Sequence, residues 1–402
     1  MLGRLEQTSL PAYGHDATAL QAPACYVSGR SAQYFDDDLA GCAGSAQKQV
    51  AKGLSGPGDG ANLLFMSRSK DVVLVGTPPT PARRKQLFDD ADALSLHWNR
   101  CGIDVGHMVF SDNVEADARR WARDHFLCSP IFSTPLLRVF GADAAALRDV
   151  VRLLMNKSEV ATIVGDPSVR TLSSAAELRA FTAGQGPPWV LKAAVGAGGR
   201  FLTRHHEPDD AKQGWRRAKS SWKQVVGQRF IEGDENFAFY LIDPAAEGPK
   251  LLLHGTSDNR KPPFYRNIWS RNSAPAANEA AQKIFEYVRK RTKLPLVIGQ
   301  DLKGRSSLVV DTNPRWCAYV PMLRLTAARG ADVGGVKYLV APRPKRSLGK
   351  IVAALRKMEF RSGASQGVVL CAAPVWPRPV LTALVVNDVD DRLEESFRRV
   401  VS

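Results

Sequence analysis

Cysteine pairing is the first thing this sequence lacks. Its six cysteines, Cys25, Cys42, Cys101, Cys128, Cys317 and Cys371, are scattered without a CxxC pair or metal-type spacing. That excludes a disulfide framework and a structural zinc site, and it fits a reducing cytoplasm. Long hydrophobic runs are also missing. The opening stretch MLGRLEQTSLPAYGHDATAL has no apolar signal core, and no window approaches the roughly 20 apolar residues of a membrane helix. The expectation is a soluble cytoplasmic protein with no membrane partner. Zinc-finger spacing, an RNP-type aromatic strand and a helix-turn-helix pattern are all absent, so no nucleic-acid partner is expected either. We find no internal repeat and no long linker.

What is present is a chain of 402 residues, 44% of them hydrophobic, with a formal charge of +15. This length suffices for two or three domains with a sizeable core. The positive balance asks for an acidic partner: nucleic acid, anionic lipid or a phosphate-bearing small molecule. Basic residues are strewn through ARRKQ, RRAKSSWK, YVRKRTK and APRPKRSLGK rather than gathered in one block, and most of them read as a solvated surface.

Strand and helix alternate over residues 1–145, with strands expected at NLLFM (62–66) and DVVLVGT (71–77) and helices around 83–98 and 114–125. This pattern predicts an α/β layer. In DAAALRDVVRLLMNK, Leu147, Val150, Val151 and Leu154 recur at helical spacing, which sets Lys157 just past the helix end. Strands punctuated by Pro and Gly are then expected at ATIVGD and PPWVLKAAVGAGGRF, so a domain boundary is placed near 145. Further on, Ala277, Ala280, Ala281, Ile284 and Val288 share one face of a helix. Two strands, PLVIGQDLK and SLVVDTNPR, follow as a hairpin around GRS. The segment 331–402 holds KIVAALRKM, GVVLCAAPVW and VLTALVVND and ends in a helix at RLEESFRRV.

Three stretches carry chemistry. Along the strand SSLVVDTNPRW, alternation turns Val309, Asp311 and Asn313 the same way. A three-residue loop, Gly304 to Ser306, would set Asp301 opposite Val309, so that Asp301, Asp311 and Asn313 converge; a two-residue loop would turn Asp301 away. Two carboxylates and an amide oxygen are hard donors of the kind Mg²⁺ prefers, although Asp311 and Asn313 also suit a plain turn before Pro314. In VLKAAVGAGGRF, Lys192 ends an apolar strand ahead of Gly196, Gly198 and Gly199. Glycine admits close backbone approach to phosphate, and lysine adds a point charge. The spacing is neither GxGxxG nor GxxxxGK[ST]. The third stretch, GQRFIEGDENFAF, places an apolar pair in a polar frame before Asp234 and Glu235.

Their order is more specific than any one of them. Lys157 is followed after 35 residues by Lys192, after 36 more by QRFIEGDE, and 66 residues beyond Glu235 by Asp301 and then DTNPR. This resembles the ATP-grasp superfamily over roughly residues 150–330. The resemblance implies an α/β (α+β) ATP-grasp fold with an amino-terminal pre-ATP-grasp domain (1–145). A nucleotide-binding domain (146–330) would carry a flexible glycine-rich lid at about 160–226, and residues 331–402 would pack on its core. By the same resemblance Lys157, Lys192 and the glycine loop at Gly196, Gly198 and Gly199 would contact ATP phosphates. Gln228, Arg229, Phe230 and Ile231 would line the adenine, and Glu235 would take the ribose hydroxyls. Asp301, Asp311 and Asn313 would hold Mg²⁺, and Arg315 would face the transferred phosphoryl or the acyl intermediate.

The chain departs from the pattern where Gln228 replaces the hinge glutamate, where Asp311 replaces a glutamate, and where Gly299 stands in place of an arginine. Arg260, Arg266 and Arg271 in SDNRKPPFYRNIWSRNS are the candidates to supply that missing cation. The flanking parts look like those of ligases that join carboxylic acids to amines, including peptide ligases of natural-product pathways. The reaction implied is carboxylate activation as an acyl phosphate, attack by an amine, and release of ADP and phosphate. Its partners would be a small-molecule carboxylate and an amino acid or peptide amine, with a homodimer as one open assembly. A carboxylase, a small-molecule kinase and a nucleotide-binding regulator remain as alternatives.

Overall fold

In the computed structural model, residues 23–27, 64–78, 80–128, 142–195, 203–222, 224–258, 265–271, 279–303, 308–314, 320–342, 344–372 and 380–402 are described. They form an α/β arrangement of three sheets with helices between them. The first sheet joins β1 (Ala24–Val27), β2 (Val72–Gly76), β3 (His107–Ser111) and β4 (Phe126–Cys128) in the order β3-β2-β1-β4, every pairing parallel. Unbroken apolar runs such as ACYV and VVLV suit strands buried on both faces. Helices α1 (Pro81–Arg100) and α2 (Val114–Trp121) connect them. Thr80 caps α1 by accepting from the Arg83 N–H, and Pro81 occupies a first-turn position that needs no donor.

Two expectations are corrected in this half. Residues 64–66 of NLLFM are helical rather than extended. The N–H and hydroxyl of Ser67 both return to the Leu64 carbonyl, at 3.1 and 2.7 Å, and close a turn that a short apolar run does not reveal. Likewise ATIVGD continues a helix. After α3 (Ala142–Leu154), Asn156 caps α4 (Lys157–Val164), and Gly165 ends it at φ 74, where a side chain would be strained. Lys157 therefore lies just past α3, as expected, and also opens α4.

The second sheet is antiparallel, in the order β5-β8-β6-β7: β5 (Val169–Thr171), β6 (Trp189–Ala193), β7 (Thr203–His205) and β8 (Val225–Arg229). Leu191, Trp189 and Val225 pack with Leu178 and Phe181 of α5 (Ala175–Gly184) and Ala211 of α6 (Pro208–Ser221). Alternation leaves Val190, Lys192, Arg204, Val226 and Gln228 on the other face.

The third sheet has eight strands, all pairings antiparallel: β9 (Glu235–Ile242), β10 (Lys250–Asp258), β11 (Tyr265–Ser270), β12 (Leu296–Lys303), β13 (Leu308–Asn313), β14 (Gly335–Pro342), β15 (Gly367–Ala372) and β16 (Val380–Val386), ordered β13-β12-β9-β10-β11-β14-β16-β15. One face buries Ala238, Tyr240 and Ile298 against Ala281, Ile284, Phe285 and Val288 of α7 (Glu279–Arg289). The other buries Phe237, Phe239 and Tyr338 in a core shared with α8 (Val320–Arg329), α9 (Leu348–Leu355) and α10 (Arg392–Val401). Among the described residues no helix is long and apolar enough to cross a membrane. Cys25, Cys101 and Cys371 are free and buried, and burial pushes the thiols of Cys25 and Cys101 up to about 12, so neither is poised as a nucleophile.

One buried carboxylate ties α1 to the last segment. Glu359 takes His97 Nδ1 at 3.0 Å, Arg100 Nε at 2.9 Å and Arg361 Nη2 at 3.0 Å. His97 Nε2 accepts the Leu370 N–H at 3.0 Å, which leaves the proton on Nδ1 to face Glu359. Burial alone would raise the carboxyl pKa, yet the bonds from His97, Arg100 and Arg361 hold it well below the usual carboxylate range. A carboxyl whose folded pKa is depressed stabilises the fold above its unfolded pKa and loses that contribution as pH falls. We expect stability to decline as pH drops below about 4.5, and Glu359→Ala to cost about 3–5 kcal/mol at neutral pH while flattening that acid slope. Urea midpoints at pH 7 and pH 3.5 check both; an unshifted midpoint at pH 7 would refute the tie.

Candidate functional site

The hairpin of β12 and β13 does not take the expected register. Lys303 lies opposite Leu308 and Leu302 opposite Val309, but Asp301 then lies opposite Asp311, Gln300 opposite Thr312 and Gly299 opposite Asn313. Asp301 therefore does not face Val309. A β-bulge makes Val310 the extra residue, and it shifts the remainder of β13 by one position. Directly opposed residues share a face, so Asp301 and Asp311 meet across the hairpin and Asn313 follows two residues on. The bulge has a second consequence, because a carbonyl released from the ladder needs another donor. Val310 O receives it from Lys192 Nζ at 2.9 Å.

Lys192 reaches this carbonyl from β6 in the second sheet. Its ammonium also donates to Gln228 Oε1 at 2.6 Å, and the residue is only 6% exposed. Burial, then the nearby charge of Lys157, lowers its pKa to about 8, against the opposing pull of Asp311, Asp166 and Asp301. Lys157, at the start of α4, places Nζ 3.2 Å from Asp311 Oδ1. Leu154, Val160, Ala161, Val309, Val310 and Thr312 complete the cleft around these groups. Two lysines, one from α4 and one from β6, thus converge on the carboxylate edge of the large sheet.

The turn from β8 to β9 lies just past Gln228, the partner of Lys192. Arg229 ends β8, Gly233 turns at φ 119, and Glu235 opens β9. The Phe230 N–H bonds Pro188 O at 2.8 Å. Above the Phe230 ring stand Arg204 of β7, its guanidinium carbon 3.9 Å from the centroid, and Lys303 of β12, its Nζ at 4.5 Å. Lys303 Nζ is also 3.3 Å from Glu235 Oε1, and the two residues are opposed in register. The sequence reading missed Arg204 and Lys303. Alternation held the signal for Lys303, two residues beyond Asp301; nothing local marks Arg204.

Of the arginine candidates, Arg271 is not brought to this point. Arg271 lies at the end of β11, where its N–H bonds Gly334 O at 2.9 Å and its guanidinium bonds Gly330 O. β11 is three strand spacings from β12, about 14 Å across the sheet. Arg266 lies within β11, in register with Asp258 and Leu339, and it is Asn267 that shares the row of Ser257, Glu235 and Lys303. Gly196, Gly198, Gly199, Arg260 and Arg315 lie outside the described residues. No group of three or more His, Cys, Asp or Glu side chains gathers among the described residues. Asp301 and Asp311 remain a pair with an amide neighbour.

No protein-family profile matches the chain. No curated protein matches it in sequence. Among solved structures it is similar to N5-carboxyaminoimidazole synthetase from Staphylococcus aureus, at 9% identity and a TM-score of 0.48, covering 95% of this chain and 97% of that one. It is also similar to an L-amino acid ligase from Bacillus licheniformis, at 11% identity and a TM-score of 0.45, covering 94% of this chain and 97% of that one. A D-alanine–D-alanine ligase from Bacillus anthracis is similar at 13% identity and a TM-score of 0.38, over 61% of this chain and 86% of that one.

Proposed function

We propose that the protein is an ATP-grasp ligase that activates a carboxylate as an acyl phosphate and passes the acyl group to an amine, with release of ADP and phosphate. One observation carries this reading: Lys157, at the start of α4, and Lys192, on β6 of the second sheet, converge on the Asp301–Asp311 edge of the larger sheet. Opposed lysines and carboxylates across a cleft suit a metal-bound polyphosphate, with cations for its oxygens and hard oxygen donors for its metal.

The donor set fits Mg²⁺, which takes one or two protein carboxylates together with substrate phosphates. Held by Asp301, Asp311 and Asn313, Mg²⁺ would supply charge neutralisation at the transferring phosphoryl group. The protein's own groups do the rest by positioning and electrostatics, and no nucleophilic side chain is required. Lys157 and Lys192 offset phosphate charge. Phe230 and the backbone from Arg229 to Ile231 border the base, and Glu235, oriented by Lys303, faces the ribose. The second sheet, whose β6–β7 connection contains Gly196, Gly198 and Gly199, acts as the lid that excludes water from the acyl phosphate. For the substrate carboxylate, Arg315, just after the metal-edge strand in sequence, and Arg266 are the proposed guanidinium groups, whereas Arg271 is engaged at Gly330 O.

Measuring ADP and phosphate release across carboxylate and amine libraries tests this reading. Release that requires both substrates supports it. Tight ATP binding without turnover would replace it with a regulatory role, and a phosphorylated product that accumulates without an amine would replace it with a kinase. Within the site, Lys303→Met is expected to raise the KM for ATP about threefold to tenfold and leave kcat nearly unchanged, because it removes one partly buried charged contact to Glu235 and Phe230. An unchanged KM would separate that pair from the nucleotide.

A further inference from the structure

The hinge residue Gln228 offers more than a departure from a pattern. It is 3% exposed, and its Oε1 accepts from Lys192 Nζ at 2.6 Å. An ammonium has three donors and no acceptor, so the oxygen of the amide must face Lys192. The amide orientation is therefore fixed by chemistry, and a flipped assignment would set N–H against N–H. It follows that Nε2, a two-hydrogen donor, points elsewhere, and among the described residues it has no hydrogen-bond partner. A buried donor without an acceptor is costly, and beside the cleft that Lys192 lines it calls for a ligand that brings one. By register, Gln228 shares the cleft-facing surface of β8 and β6 with Lys192 and lies immediately before Arg229, Phe230 and Ile231. It therefore stands between the cation assigned to phosphate and the hinge assigned to the base.

We infer that Gln228 reads the six-position of a purine base by donating to it, so that 6-keto purine nucleoside triphosphates are bound at least as well as ATP. The inference rests on the nucleotide site proposed above and deepens it. An adenine presents an amino group at its six-position, and a donor facing a donor leaves both unsatisfied. A hypoxanthine or guanine presents a carbonyl oxygen there, which completes the Gln228 amide. A carboxylate at this position would have the reverse preference, since it only accepts. A site built around one polar group discriminates strongly against the partner that leaves the group unpaired.

Calorimetric titration of the full chain with ATP and with ITP, in the presence of Mg²⁺, tests this directly, because the two nucleotides differ at the six-position and its ring neighbour. For the unsubstituted protein, ITP is expected to bind as tightly as ATP or up to about tenfold more tightly. Gln228→Glu keeps the size and keeps an acceptor for Lys192, and it should move the ratio at least tenfold toward ATP. Gln228→Met should remove the ITP advantage without inverting it. A tenfold preference of the unsubstituted protein for ATP, or a ratio that Gln228→Glu leaves in place, overturns the inference while the nucleotide site stands. Binding of neither nucleotide by a folded protein overturns both.

Discussion

Asp311→Asn is expected to lower turnover by about a hundredfold to a thousandfold while the protein remains folded. The charge is what the substitution removes. Asp311 Oδ1 accepts the Thr312 N–H at 3.0 Å and stands 3.2 Å from Lys157 Nζ, and an asparagine retains an oxygen for both contacts. β13 is the terminal strand of its sheet, and the Asp311 side chain is 23% exposed, so neither a cavity nor a broken ladder follows. On the proposed site a metal-bound polyphosphate, in contrast, would lose one of its two carboxylate ligands. Turnover in saturating Mg²⁺ and a thermal melt are the measurements. An unchanged rate would remove Asp311 from the metal site, whereas a collapsed melting transition would make it a structural residue. Asn313→Ala, two residues along the same strand, should lose turnover in the same direction with a smaller effect, since an amide ligand carries no charge.

The bulge at Val310 shows where sequence reading stops. The composition of SLVVDTN gives a strand and its alternation gives a face, but the number of residues between two paired positions depends on backbone geometry that a single extra residue changes. The expected opposition of Asp301 and Val309 failed for that reason. Asp301 and Asp311 still meet, by direct pairing instead of by diagonal proximity. Long periodic segments were legible, as in α3, where Leu147, Val150, Val151 and Leu154 are all buried, and in α7 with Ile284 and Val288. Short apolar runs were not, since Leu64–Met66 and Ala161–Val164 are helical where strands were expected. Runs this short satisfy either period, and local groups such as Ser67 and Asn156 decide between them. At the site, residues that sit next to one another in a motif were visible. Arg204, brought to Phe230 only by the pairing of β7 with β6, was not.

Lys192 gives the second large effect, and it separates binding from stability. Lys192→Met is expected to weaken ATP binding about tenfold to a hundredfold, the loss of one charge-assisted hydrogen bond in a buried site. The same lysine burdens the fold, because burial lowers its pKa from 10.5 to about 8. Its folded pKa is below its unfolded one, so between about pH 8 and 10.5 the unfolded chain holds the proton and the folded protein does not. Stability attributable to this group therefore rises with pH across that window. ATP affinity runs the other way. On the proposed assignment of Lys192 to phosphate, the free protein loses that charge above about pH 8, and the dissociation constant should climb by up to about tenfold per pH unit. These opposed slopes are the signature of a buried lysine kept for its charge. Titrating ATP affinity and urea midpoints from pH 7 to 9.5 reads both, and Lys192→Met should flatten both. An ATP dissociation constant that stays level across this range in the unsubstituted protein would place the Lys192 ammonium away from the phosphates. It would then serve to satisfy the bulged carbonyl of Val310 and the Gln228 amide oxygen.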